Sequence, residues 1–550
     1  MAAYTAHVDT FARDHLPPRD EWPDFLFTRP ELVYPERLNC VSELLDKWIA
    51  AGEGDRPAVG SPTERWSYAE LADKVNRIAN VLVRDFGLVP GNRVLLRAPN
   101  NPLLVACYLA VLKAGGVVVA TMPLLRAKEL GYMVRKAEIR LALCDHRLLD
   151  ELVKTKEEIG ILGTIVPVGS GRTDDLLALM RTASPHFTAC PTAADDVCLI
   201  GFTSGTTGEP KGTMHFHRDM LAICDAYGRN VLSPNRDDVF TGSPPLAFTF
   251  GLGGLVLFPM RVGASSILLE RAGPDELVDV FRRCRPTVCF TAPTAYRALL
   301  ARLQPGDTAT LRICVSAGEA LPKATWEAWK EATGLPLLDG IGATEMLHIF
   351  ISAPVEKIRP GATGLPVPGY EAKIVDDLGR DLPPGSVGRL AVRGPTGCRY
   401  LADERQRRYV QNGWNITGDT YLQDADGYFW YQARSDDMIV SAGYNIAGPE
   451  VEAALLTHPA VQECGVVGAP DEERGQIVKA YVVLKPGHAA DAAMVKALQD
   501  HVKAEIAPYK YPRVVAFVDA LPRTETGKLQ RFVLRRIAAE GDGSPTALAS

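Results

Sequence analysis

The segment Thr203 to Gly212, TSGTTGEPKG, packs four hydroxyls, three glycines and a lysine into ten residues, a composition suited to holding a polyphosphate. Gly205 and Gly208 let the backbone bend and approach phosphate oxygens closely, Thr203, Ser204, Thr206 and Thr207 can donate to those oxygens, and Lys211 adds positive charge. It is not a Walker A loop, because Lys211 is followed by Gly212 rather than by Ser or Thr and the glycine spacing differs. The apolar run VCLIGF precedes it and a helix-like stretch begins near His217, so the pattern predicts strand, loop and helix in that order.

Four more motifs follow: GATE at Gly342 to Glu345, TGD at Thr417 to Asp419, RSDDMIVSAGYNI at Arg434 to Ile446, and PRTETGK at Pro522 to Lys528. Taken singly, their acids and lysine read as solvated surface charges. In this order, behind the Thr203 loop, they resemble the acyl-adenylate-forming (AMP-binding) superfamily, which holds acyl- and aryl-CoA ligases, adenylation domains of peptide synthetases and luciferases. The resemblance spans nearly the whole chain. It implies an acid–thiol ligase that couples a carboxylic acid to ATP and then to coenzyme A, with Mg²⁺ accompanying the ATP.

The resemblance also assigns roles. Lys528, Thr344 and Glu345 are the expected catalytic residues: Lys528 bridges the carboxylate and the nucleotide, Thr344 contacts the α-phosphate, and Glu345 helps hold Mg²⁺, a hard cation that takes oxygen ligands. Asp419 accepts from the ribose hydroxyls with Arg434 in support. Gly318, Glu319 and Ala320 (GEALP), with Asp339, Gly340, Ile341 and Gly342, match segments around adenine. Many relatives carry an aromatic residue where this chain has Ile341, so aliphatic packing is expected in place of stacking. Asp436 matches the hinge about which the C-terminal domain turns between half-reactions, and Gly443 and Tyr444 match the loop lining the coenzyme A tunnel.

The acid pocket is expected from AYGRN on the helix after the loop, PLAFTFGLGG, SAGEA and GATEMLHIFIS. GLGG and TEMLHIF look like benzoate-type CoA ligases, and Phe248, Thr249, Phe250, Gly342, His348 and Ile349 are the expected lining of a flat slot sized for one ring. The N-terminal arm, FARDHLPPRDEWPDF, resembles aminobenzoate-type ligases, which makes 2-aminobenzoate the first expected substrate and benzoate the second. A stand-alone enzyme loading a carrier protein remains the alternative. Asp225 lies on the helix after the loop, where it reads either as an exposed acid or as a partner for a ring amino group.

These residues must be positioned by a sizeable scaffold. The chain has 550 residues, 47% apolar and 23% charged, with a net charge of −6, values of an ordinary globular enzyme with two or more domains. Such a charge argues against nucleic-acid binding, and no apolar run reaches membrane-spanning length. The 11 cysteines are scattered without metal-binding spacing and read as reduced core residues, and the N-terminal arm has no apolar signal core, so a cytoplasmic protein is expected; as to assembly, the expectation is a monomer or homodimer. From Val41 to about Ile200, helical periodicity alternates with β-branched runs such as RVLLRA and GGVVVAT, and the rhythm returns in ASSILLE, TVCFTA and LRICVSAG. That pattern predicts helix-covered, mostly parallel sheets. From about Gly364 short strands and turns predict a small β-barrel-like subdomain. Residues 434–550 read as a small mobile α+β domain behind a first domain of 1–433, ordered strand, helix, strand, strand, helix and basic tail.

Overall fold

The computed structural model describes residues 4–203, 210–434, 437–441, 444–471, 474–506, 508–523 and 528–540. The β-branched runs form the interiors of two large sheets. One has six strands, ordered Thr164–Val168, Leu141–Asp145, Arg93–Arg97, Val117–Thr121, Val197–Phe202 and Gly212–Phe216, all parallel except the last. The other has nine, and its central members Leu337–Gly342, Ile313–Ala317, Val288–Thr291, Val239–Gly242, Ser265–Ile267 and Pro57–Gly60 are parallel. Strands such as Val288–Thr291 and Ile313–Ala317 are buried along their whole length, as expected when helices cover both faces. The helix Pro102–Lys113 packs between such layers and is apolar almost all round; Leu104, Val105, Leu109 and Leu112 join one core spanning both sheets.

Two sequence expectations change. The Thr203 loop does not run into a helix: the strand Gly212–Phe216 turns back antiparallel to Val197–Phe202, and the helix His217–Ile223 starts only after it. The loop therefore closes a β-hairpin, and Lys211 is separated from the helix N-terminus by a strand. The β-rich subdomain is a five-stranded antiparallel sheet of Glu371–Val375, Val387–Arg393, Trp414–Gln423, Val410–Gln411 and Phe429–Arg434. Among the described residues no ladder joins its outer strands, so it is an open sheet rather than a barrel.

Behind Arg434 a separate C-terminal domain has its own core, with Val451, Leu455, Val466, Val478 and Leu498 packed together. Strands Tyr444–Ala447, Met438–Ser441, Gly475–Leu484 and Val461–Asp471 pair antiparallel, and Val514–Phe517 adds a parallel edge. The basic tail contains a further helix, Arg531–Glu540, seated by Leu534 and Ala538. All eleven cysteines are free, and nine of them are buried. No helix among the described residues is long and apolar enough to cross a membrane.

Candidate active site

The ends of the parallel strands open onto a cavity of about 1780 Å³. Thr203 and Lys211, the two ends of the phosphate loop, stand on its wall, and the hairpin brings them together: Thr203 N donates to the Lys211 carbonyl at 3.0 Å. Ser204, Gly205, Thr206, Thr207 and Gly208 lie outside the described residues. Opposite, the strand Leu337–Gly342 ends in the short turn Thr344–Met346, which delivers Thr344 and Glu345 to the same wall. Glu345 is 6% exposed, and Lys211 Nζ lies 3.4 Å from its Oε1. Tyr400, which the sequence did not single out, completes the arrangement: Lys211 donates to its hydroxyl at 2.7 Å, and that hydroxyl donates to Glu345. Burial first, and then the Glu345 charge, holds the Tyr400 phenol far above its ordinary range, so it stays protonated.

Strand register sets the next pair. Asp419 on Trp414–Gln423 is the cross-strand partner of Arg434 on Phe429–Arg434, with the guanidinium 3.8 Å from the carboxylate. Gly418 beside it has a φ of +77°, a conformation that suits glycine. Gly318 (φ +93°) ends the strand Ile313–Ala317 and turns Glu319 into the cavity. The C-terminal domain closes this side. A Cβ built on Gly318 would meet Lys528 Cε at 3.6 Å, and Arg523 bridges Glu319 (3.7 Å) and Glu463 (2.6 Å). Burial raises the Glu319 carboxyl above its usual range, with Arg523 opposing. Lys528 keeps exposed surface, yet desolvation by the cavity walls lowers its ammonium, against the pull of Glu319 and Asp419.

Ala320, Asp339, Gly340 and Ile341 do not reach the cavity wall. Gly340 leaves room for Ile349, which a Cβ would approach to 2.9 Å, Ile341 packs on the core, and Asp339 lines a separate small cleft with Trp326 and Thr363. Burial pushes the Asp339 carboxyl well above the carboxylate range. Asp436 and Gly443 lie outside the described residues, and the Tyr444 backbone pairs with Ser441.

A second lobe of the cavity is aromatic. Phe248, Thr249, Phe250, Gly342, His348 and Ile349 all line the wall. His348 is 2% exposed and is ringed by Tyr227, Phe250, Phe258 and Phe290, with the Phe258 ring edge-on at 4.6 Å. Among the described residues neither imidazole nitrogen makes a well-formed hydrogen bond, and burial, opposed only by the nearby Phe250 backbone, pushes its pKa down to about 3, so the ring is neutral. The glycines of GLGG explain how it fits. A Cβ on Gly253 would stand 2.8 Å from His348 Nε2, and one on Gly254 would stand 2.6 Å from Phe290 Cδ1. Both readings of Asp225 fail: it is buried away from the cavity, held by Arg261 at 2.9 and 3.0 Å and by the Tyr34 hydroxyl at 2.8 Å.

The cations Lys211 and Lys528 on the cavity wall, the acid at Glu345, the Asp419–Arg434 pair and the aromatic lobe together suit transfer of a nucleotidyl group to an aromatic carboxylate. Residues 46–400 match the model for the AMP-binding enzyme, and residues 450–528 match that for the AMP-binding enzyme C-terminal domain. A benzoate–CoA ligase of Thauera aromatica is 38% identical over 92% of this chain and 98% of its own length. Among solved structures, an anthranilate CoA ligase, AuaEII, in complex with anthranoyl-AMP superposes with a TM-score of 0.88 at 36% identity, covering 93% of this chain and 99% of that one. A benzoate CoA ligase from Burkholderia xenovorans gives a TM-score of 0.83 at 34% identity over 90% of this chain and all of that one.

Proposed function

This chain belongs to the AMP-binding enzyme family, and on that premise we propose that its acid substrate is 2-aminobenzoate. The chain is an AMP-forming acid–thiol ligase of the aryl-CoA type, using ATP and coenzyme A. The aryl carboxylate attacks the α-phosphorus of ATP and releases pyrophosphate. The coenzyme A thiol then attacks the acyl carbon of the adenylate, AMP leaves, and the thiol proton goes to solvent.

The observation that carries the choice of ring is His348. A buried neutral imidazole with a bare, unpaired nitrogen is costly, about 1–3 kcal/mol for an unmade hydrogen bond, unless a ligand pairs it. An amino group beside the carboxylate would donate to the bare nitrogen. Unsubstituted benzoate has nothing to offer there. Benzoate is the second reading, favoured by the likeness to the Thauera aromatica benzoate–CoA ligase.

In this reading Lys211, Thr344 and Lys528 attend the phosphates and the reacting carboxylate, where charge accumulates, and their fixed donors supply the stabilisation that nucleotidyl transfer needs. Asp419 and Arg434 hold the ribose. Mg²⁺ usually takes one or two protein carboxylates plus substrate phosphates, and no cluster of three or more candidate ligands exists among the described residues. Glu345, the buried carboxylate beside Lys211, fits that modest requirement, and the ion would neutralise phosphate charge. Turning of the domain 434–550 about Asp436 then brings Gly443 and Tyr444 toward the acyl group for the thiol step.

The test is AMP release with benzoate, 2-aminobenzoate and 4-hydroxybenzoate, each with and without coenzyme A. A higher kcat/KM for 2-aminobenzoate than for benzoate supports the proposal. The reverse order replaces it with the benzoate reading.

A further inference from the structure

His215 Nε2 stands 2.7 Å from the carbonyl oxygen of Thr344. A carbonyl only accepts, so Nε2 carries the proton and the imidazole is the donor. His215 has no exposed surface and sits on the strand Gly212–Phe216, four residues after Lys211. Its Nδ1 faces Asp219 Oδ2 at 3.6 Å, and Asp219 is itself fixed by the Phe216 amide at 3.0 Å and by the buried guanidinium of Arg399. The Thr344 carbonyl also accepts from Leu347 N at 3.1 Å, closing a turn in which Leu347 is held at φ +68°. A non-glycine residue there is strained and needs outside support. The companion strand contributes too: a Cβ on Gly201 would touch Thr344 Cγ2 at 3.0 Å. Both strands of the phosphate-loop hairpin, in the six-stranded sheet, thus grip a turn that grows from the nine-stranded sheet.

We propose that His215 is a positioning residue for adenylation, holding the Thr344–Glu345 turn in register with Lys211 and the phosphate loop while touching no substrate. The proposal rests on the roles given above to Thr344 and Glu345. Its physical basis is that the two halves of the phosphate site come from different sheets, and a misplacement of about 1 Å between catalytic groups costs up to about 100-fold in rate. Backbone packing at Gly201 sets how near the turn comes; the His215 hydrogen bond sets where along the strand it rests.

The experiment compares His215→Gln, His215→Asn and His215→Leu in the full chain. A Gln amide can reach the place of Nε2, whereas Asn falls short and Leu cannot donate. Two readouts are taken: benzoate-dependent ATP–pyrophosphate exchange, and thioester formation from preformed benzoyl-AMP and coenzyme A. The expected result is that Asn and Leu lower exchange kcat by about 10- to 100-fold with the benzoate KM nearly unchanged. Gln recovers most of the loss, and thioester formation from benzoyl-AMP is spared in all three. Equal exchange in Gln and Asn, or equal loss in both half-reactions alongside a lower Tm, overturns the proposal. Thr344→Ala and Glu345→Ala are assayed in parallel. Insensitivity of exchange to both would overturn the reading of the turn itself, whereas sensitivity to them with a fully active His215→Leu would overturn only the role of His215.

Discussion

The Lys211 ammonium donates at 2.7 Å to the hydroxyl of Tyr400, and that hydroxyl passes its own proton toward Glu345. The ammonium also donates directly to Glu345 at 3.4 Å, so the hydroxyl reinforces an ion pair and closes a three-way cluster of Lys211, Tyr400 and Glu345. Hydrogen bonds to charged groups are worth about 1.5–3 kcal/mol, so Tyr400→Phe should weaken adenylation by about 10- to 100-fold. The loss should appear mainly in the ATP–Mg²⁺ terms and leave the KM for the aryl acid alone. Steady-state kinetics with ATP and acid varied in turn will show it.

Asp225 is a structural partner of Arg261 and Tyr34, so Asp225→Ala should cost stability and leave selectivity untouched. Removing one member of a buried pair costs about 3 kcal/mol because the other charge is stranded, although Arg261 keeps Glu43 at 2.9 Å. Denaturant melts should show the loss. The ratio of kcat/KM for 2-aminobenzoate and benzoate should stay at its wild-type value.

Asp225 also marks where sequence stops being informative. Local periodicity placed it on a helix, but its partners stand at Tyr34 and Arg261, far away in the chain. The strands Val117–Thr121 and Val288–Thr291 were legible because a buried parallel strand writes itself as a short β-branched run, and Lys211, Glu345, Asp419 and Lys528, which line the cavity, stood out because each lies in a short local motif. The hairpin at Gly212–Phe216 was hidden by its brevity. Tyr400 and His215 were hidden because each bonds to a group more than fifty residues distant. The amphipathic helix Arg531–Glu540 was masked by its basic composition, its burial resting mainly on Leu534 and Ala538.

Gly253 offers a test of packing against propensity. It lies in the helix over 249–262, where alanine would ordinarily gain about 1 kcal/mol over glycine. Here a Cβ would press on His348, itself locked among four aromatic rings, so the ring cannot step aside cheaply. Gly253→Ala should therefore destabilise the protein by about 1–3 kcal/mol, the usual cost of overpacking, and raise the KM for the aryl acid. A rise in Tm would show that the aromatic lobe yields more readily than its packing suggests.

Lys528 carries a prediction about pH. Desolvation lowers its pKa, and neutralising the reacting carboxylate and phosphate requires the charged form. That form is lost as pH rises through the lowered pKa, so adenylation should fail on the alkaline side before an ordinary lysine would titrate. Lys528→Ala should lose about 100-fold or more in pyrophosphate exchange, as when a fixed electrostatic donor is removed, and should retain thioester formation from preformed adenylate. Glu319→Gln, which removes a carboxylate that supports the ammonium, should move the alkaline limb to still lower pH.

His348 links substrate choice to acid stability. Its folded pKa of about 3 lies below the unfolded value near 6.5, so the unfolded chain binds the extra proton in that window and stability falls as pH drops. From pH 6.5 to pH 5 the loss is about 2 kcal/mol, and it should vanish in His348→Phe, whose melts should diverge from wild type in the acid range. The same variant separates the two substrates. Without an imidazole nitrogen to receive the amino group, His348→Phe should lose about 5- to 100-fold in kcat/KM for 2-aminobenzoate, the worth of one buried hydrogen bond, while benzoate changes far less. Above pH 6 the wild-type preference should be flat with pH, because the imidazole is already neutral. If His348→Phe loses both acids equally, the ring serves as packing, and the ring substituent must be read elsewhere in the pocket.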